Sequence, residues 1–360
     1  MMELTTRERM RMVYNHQSPD RVPIFDSPWQ STFYRWKQEG LPQNIDHSNL
    51  VDYFGFDKLA FFEGYIDSSF RFKEEIIEET ERYYIKKTCW GGTLKHFKPI
   101  SSTPQYIDFT ITNPDKWLKI KETMTATTDR INWKLLERDF AKWRKEGYWI
   151  VAVPLFGFEI VSTEIIGFER TLFALADEPE WVKEMLDHLC DLNLALLQMM
   201  WDKGYTFDEM MWYDDMSYKN GMLFSKNVWE ELIKPYTNRA IEWAHNHGVK
   251  VQLHSCGNIN AIVPELVKLE IDCLNPLEIR AGMNPIALKR EFGKKLAFRG
   301  GSDVGIWDDL NKFENHMRTF LPSMMESGGY IFSSDHTVPD NISLENFKKI
   351  IEIVKKYGKY

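Results

Sequence analysis

The chain reads as an α/β protein, a (β/α)8 TIM barrel that takes residues 1–360 as one domain. Three observations carry that expectation. Eight short apolar runs, at residues 22–25, 58–62, 148–155, 207–213, 249–253, 271–274, 296–298 and 330–332, have the length and composition of buried strands. Helical patterns fill most of the gaps between them, and alternating strands and helices imply parallel strands joined by right-handed crossovers. No G-x-G-x-x-G or P-loop motif appears, which places an open doubly wound sheet second.

The elements follow in order. Thr5 and Thr6 ahead of RERMRMVYN cap a first helix. The 22–25 run ends on Asp26 and the 58–62 run on Glu63. Residues 79–97, with ERYYIKKTCW, then Gly91-Gly92, then TLKHF, predict a hairpin that is an insertion or a lid. Helices are predicted over 117–123 and 132–146, then over 158–176 and 178–203 after the 148–155 strand. The 207–213 strand ends in the apolar stretch MMWY and runs into Asp214-Asp215. A long helix over 227–247 stops at Gly248, and the strand after it reaches His254 and Cys256. Helices at 259–269, 285–292 and 312–326 alternate with three last strands, which end on Asn275-Pro276, Arg299-Gly300-Gly301 and Asp335-His336. A final helix covers 344–357.

Composition narrows the function. A net charge of -8 argues against nucleic acid or an anionic membrane as the main partner. Four cysteines without short spacings argue against a disulfide scaffold and fit a reducing cytoplasm. The N-terminal stretch has no apolar core of a signal peptide, and no run is long enough for a membrane span. A monomer or homodimer is expected.

In a barrel of this kind the site lies at the C-terminal strand ends. Those ends carry Asp26, Glu63, Asp214, Asp215, His254, Cys256, Asn275, Arg299, Asp303, Asp335 and His336. Residues at i and i+2 of extended chain point the same way, so His254 and Cys256 can reach one ion. Zinc takes imidazole nitrogen and thiolate sulfur, and a catalytic zinc keeps three protein ligands and one open position. The third ligand is expected from His336, with Asp335 and Asp303 as rivals; Cys273 opens a short strand and is expected low in the barrel as an apolar filler. The bland reading of the pair is a packed cysteine beside a hydrogen-bonded histidine. Asp26, Asp214 and Asp215 are candidates for orienting a substrate or moving a proton, and the last two are otherwise turn caps. Arg299 is a candidate for an anionic group, or else the partner of Asp303. Glu63, Trp29 and Asn275 complete the expected substrate contacts, and Trp29, Phe61, Phe62, Tyr65 and Trp90 the expected aromatic pocket wall.

FSKNVWEELIKPYTNRAIEWAHNHGVKVQLHSCGN, followed by DCLNPLE, FRGGSDV and IFSSDHTVPDNISLENF, resembles the uroporphyrinogen decarboxylase superfamily in the same order, and RVPIFD and FGFDKL near the start also fit. The resemblance implies a (β/α)8 barrel and one of two activities. One is the metal-free decarboxylase, a lyase acting on a carboxylated tetrapyrrole. The other is the zinc-using, corrinoid-dependent methyltransferases, methylcobamide:coenzyme M methyltransferase among them. The decarboxylase carries an arginine-rich M-R-Q-A-G-R segment after the first strand; here the matching place, Asp26 to Ser31, has no arginine. The methyltransferases carry H-x-C, which matches His254 and Cys256, but their third ligand is a cysteine where this chain has His336. The resemblance therefore implies zinc, a cobalamin on a partner corrinoid protein or free in solution, and a small methylated substrate or thiol. No D-x-H-x-x-G motif for a cobalamin domain of its own is present.

Overall fold

Seven of the eight apolar runs form one parallel sheet. In the computed structural model, which describes residues 3–98 and 103–360, its strands are β1 (Leu59–Phe61), β2 (Trp149–Ala152), β3 (Glu209–Tyr213), β4 (Lys250–His254), β5 (Cys273–Asn275), β6 (Ala297–Arg299) and β7 (Tyr330–Ile331), side by side in chain order. Every neighbouring pair is parallel.

The expected strand at 22–25 does not form. Pro23 has no N–H to give a ladder, and only a bridge from Ile24 to Phe332 remains. The run nevertheless touches both edges of the sheet. Phe25 N–H donates to Phe332 O at 3.1 Å, Phe332 N–H to Pro23 O at 2.9 Å, and on the other side Asp57 N–H donates to Ile24 O at 2.9 Å. The sheet is thus curled, with residues 23–25 between its ends.

Both faces of the strands are apolar, as parallel sheets require. Alternate residues Leu59, Trp149, Val151, Met211, Cys273, Ala297 and Ile331 pack on the inner face with Phe25 and Phe61. Their neighbours, such as Ile150, Met210, Trp212, Val251, Leu253 and Phe298, pack outward with the main core. The helix Thr6–Tyr14, begun by a Thr5/Glu8 capping box, places Met10, Val13 and Tyr14 against the inner face at the N-terminal end of the strands, with Tyr14 stacked on Trp149 at 5.4 Å.

Three expected elements differ. The 79–97 hairpin is the centre of a four-stranded antiparallel meander, Glu75–Glu79, Tyr83–Lys87, Gly92–Phe97 and Gln105–Phe109. The helix at 227–247 contains a π-helical turn, Trp229–Ile233, just ahead of Pro235; the wider turn removes the clash that a proline ring makes with an α-helical carbonyl. The 158–176 segment holds a second such turn, Val161–Ile165, and breaks at Gly167 before Phe168–Asp177 resumes. Among the described residues, no helix is long and apolar enough to cross a membrane.

Candidate metal centre

Strand register sets the floor of the site. Tyr213 pairs with His254 and His254 with Asn275, so the last inward-facing residues of β3, β4 and β5 form one row. The row continues beyond the strands with the same alternation: Asp215 follows Tyr213, and Cys256 follows His254. His254 Nε2 and Cys256 Sγ lie 3.4 Å apart. Zinc bonds of about 2.1 Å to nitrogen and 2.3 Å to sulfur at a tetrahedral angle place those atoms about 3.6 Å apart, so the pair fits one ion. Asp215 brings a carboxylate oxygen to the same place, and one atom from each of Asp215, His254 and Cys256 lies within 4.8 Å of the others.

Neighbours hold each donor in its working form. Asn275 Nδ2 donates to Arg299 O at 3.2 Å, which turns its Oδ1 toward His254 Nδ1, 2.5 Å away. The imidazole proton therefore sits on Nδ1 and the Nε2 lone pair faces Cys256. Burial lowers the His254 pKa, favouring the neutral ring that binds metal. One oxygen of Asp215 accepts the Cys256 N–H at 2.7 Å, leaving its other oxygen for a ligand role. Gly257 turns the chain with φ +82°, and a Cβ there would lie 2.5 Å from Ser217 Oγ. The turn is fastened by Ser217 Oγ donating to Cys256 O at 2.6 Å and by Gly257 N–H donating to Glu278 at 2.8 Å.

The surroundings are acidic. Burial first, then the charges of Asp215, Glu278 and Glu159, push the Cys256 thiol far above its ordinary pKa. Burial, with Asp215 and Asp214 nearby, pushes Glu159 up to about 8. A neutral thiol among carboxylates is a poor ligand until a cation enters; a divalent ion satisfies the thiolate and the acids together. The donor set of one imidazole, one thiol and one carboxylate is a sound zinc set with a fourth side left over.

The other expected residues divide. His336 is exposed and stacks on Trp29 at 6.0 Å instead of joining the trio. Its loop is turned by Asp335, which accepts Val304 N–H at 3.1 Å and Ile279 N–H at 3.3 Å, so Asp335 is also committed. Asp303 caps Gly305 N–H at 2.8 Å, and Cys273 is fully buried on the inner face. Asp214, one residue out of phase with Asp215, points the opposite way: it is fully buried, accepts Tyr236 O–H at 2.5 Å and Glu159 N–H at 3.1 Å, and braces the 157–159 turn. Asp26 accepts Ser334 N–H at 2.7 Å, Ser334 Oγ–H at 2.8 Å and Ser27 N–H at 2.9 Å, tying the first apolar run to the last loop. Asn275 uses its whole amide on His254 and Arg299 O, which makes it a positioning residue where a substrate contact was expected. Glu63 is exposed beyond β1. Phe62, Tyr65 and Trp90 are buried core, so the expected aromatic wall reduces to Trp29 and Phe61, joined by Phe25 at 5.5 Å from Phe61 and Tyr213 at 4.7 Å from the His254 ring. Sequence reasoning missed Glu159, which lies in the short helix Phe158–Ile160 after the β2 strand, and Glu278, the last residue of the DCLNPLE stretch, which was not read as part of the site; it also missed the ligand geometry of Asp215, which strand parity with Tyr213 would have revealed.

Comparison with known proteins agrees with this frame. The pattern of the uroporphyrinogen decarboxylase family (URO-D) matches residues 153–357, a stretch that includes β3 to β7 and all three donors. The chain belongs to the uroporphyrinogen decarboxylase family. Within it, the uroporphyrinogen decarboxylase of Oceanobacillus iheyensis is 25% identical over 222 residues, which covers 58% of this chain and 60% of that protein. Among solved structures, a methyltransferase from Methanosarcina mazei superimposes with a TM-score of 0.67 over 99% of both chains at 14% identity, a likeness of fold.

Proposed function

We propose that this member of the family is a zinc- and cobalamin-dependent methyltransferase, built on a (β/α)8 barrel, that moves a methyl group between a small methylated substrate or thiol and a corrinoid presented at the mouth by a partner protein or free in solution. The observation that carries the reading is the convergence of His254 Nε2 and Cys256 Sγ at 3.4 Å with Asp215 as third donor. Zinc on these residues supplies Lewis acidity toward the sulfur or oxygen that gains or loses the methyl group. The chain's own residues do the rest: Asn275 fixes the His254 tautomer, Asp215 presents one oxygen while the other holds the Cys256 turn, and Phe25, Phe61 and Tyr213 give the mouth an apolar lining.

The alternative, decarboxylation of a carboxylated tetrapyrrole, is supported by the name of the Oceanobacillus relative. Against it, the segment after Asp26 offers no guanidinium to a polyanion; the first arginine beyond it, Arg35, pairs with Glu39 at 2.6 Å on the surface. Assay of the zinc-loaded protein with methylcobalamin and a series of thiols as acceptors, and with reduced cob(I)alamin and a series of methoxyarenes as donors, tests the proposal. Methyl exchange that disappears in Cys256→Ser is the expected result. No exchange with any acceptor or donor, or release of carbon dioxide from uroporphyrinogen by metal-free protein, overturns it.

A further inference from the structure

One cation at the mouth has no partner. Arg299 ends β6 on the inner face, in the row that holds His254 and Asn275: Leu274 pairs with Phe298, which sets Asn275 beside Arg299. Its side chain is 9% exposed, and its guanidinium lies 4.7 Å over the Phe25 ring. Among the described residues it forms no ion pair and no guanidinium hydrogen bond, and its Nε is buried without an acceptor. Neither nearby acid forms an ion pair with it. Asp26 is held by Ser27 and Ser334, and Glu209 accepts Trp149 Nε1–H at 2.6 Å on one oxygen while the other is buried without a partner, so both carboxylates act on Arg299 through space alone. Asp303, the expected partner, sits 3.8 Å from Arg280 instead.

An arginine stays charged at any ordinary pH, and burying it without a counter-ion is unfavourable. The contact with Phe25 offsets only part of that cost. Such a group is kept where an anion arrives from outside, and its planar fork matches the two oxygens of a carboxylate. His254 and Arg299 stand two strands apart, about 10 Å between backbones, with both side chains pointing into the same space.

The geometry points to Arg299 as the seat of a carboxylate on the small substrate, held opposite the Asp215–His254–Cys256 trio. The site thus selects an acid whose methylated atom lies at the far end from its carboxylate, with Phe25 and Phe61 beside the carbon skeleton. This rests on the methyl-transfer reading for the reaction alone; the binding of an acid can be read without turnover.

The test is calorimetric titration of the full-length, zinc-loaded protein with acetate, benzoate and para-methoxybenzoate, each beside its neutral amide. The expected result is that at least one acid binds about tenfold or more tighter than its amide, and that Arg299→Met loses the preference while keeping its zinc. Arg299→Met also melts at or above the wild-type temperature, because it removes an unpaired buried charge. Equal binding of acid and amide, no binding of any of the three acids, or a preference that survives Arg299→Met overturns the proposal. The wild-type comparison of acid with amide decides even where the variant fails to fold. Acid binding through Arg299 in a protein that moves no methyl group would overturn the methyl-transfer reading and leave this one standing.

Discussion

At the N-terminal end of the sheet, Arg9 is 1% exposed and donates to Asp57 at 2.5 Å and to Asp20 at 2.8 Å, while Arg21 donates to the other Asp57 oxygen at 2.7 Å. At the opposite end Arg299 is nearly as deep and has no carboxylate, and Asp215, Glu159 and Glu278 gather round a thiol with no cation. The two ends share one scaffold and treat charge differently. Where buried charges are paired, as in the Arg9–Asp57–Arg21 cluster, the residues serve the fold; where charges of both signs stand apart at the mouth, they await something that is not part of the chain. The same division between a stability end and a chemical end is expected of parallel barrels.

The contrast can be broken from either side. The largest effect is expected from Cys256→Ser: metal content by elemental analysis falls from about one zinc per chain to near none, and methyl transfer falls by about a thousandfold or more. Urea unfolding of the metal-free variant stays near that of metal-free wild type, since no packed contact is lost. Asp57→Ala should do the reverse. It strands Arg9 and Arg21 and lowers stability by about 3–5 kcal/mol in urea unfolding, yet leaves the zinc stoichiometry of the remaining folded protein intact.

Asp26 sharpens the comparison because it stands at the mouth and behaves like the other end, with its acceptors filled. Burial still raises its pKa to about 6, above the value near 3.8 of the unfolded chain. The native state then holds the proton more tightly, so the contribution of Asp26 to stability is greatest in acid and is lost as pH rises from about 4 to 6, by about 3 kcal/mol at most. Chemical denaturation across that window should show the stability of wild type falling relative to that of Asp26→Asn as pH rises. The smallest change is Asn275→Ala, which removes the acceptor for His254 Nδ1 and leaves the donors in place. Zinc affinity is expected to weaken about 10- to 100-fold in chelator competition, with turnover at saturating zinc much less affected. An unchanged affinity would mean that the imidazole is oriented by packing alone.

Much of this was legible before any coordinates. Hydrophobic runs bounded by turn residues located seven strands, and the polar residues just past them located the mouth. His254 and Cys256 stood out because i and i+2 on extended chain share a side. What could not be read were facts of direction and loop path. Whether Asp214 or Asp215 faces inward is a matter of one-residue phase, which composition does not record and which only the parity with Tyr213, once that residue is known to face inward, gives. His336 belongs to the correct loop, but the bonds of Asp335 to Val304 and Ile279 decide where that loop points, and those partners are distant in sequence. Pro23 gave a visible warning that the first run would pair poorly.

The stitch from Asp26 to Ser334 spans 308 residues. During synthesis the Asp26 carboxylate emerges early and finds its acceptors' partner only after residue 334 has left the ribosome. Until then the wall of the mouth between β1 and β7 stands open, and the trio, although its own residues are already made, lacks its enclosure. If the trio holds zinc as proposed, the ion can enter either an open trough before the last quarter of the chain is made or a finished vessel after it, and topology makes these two different events.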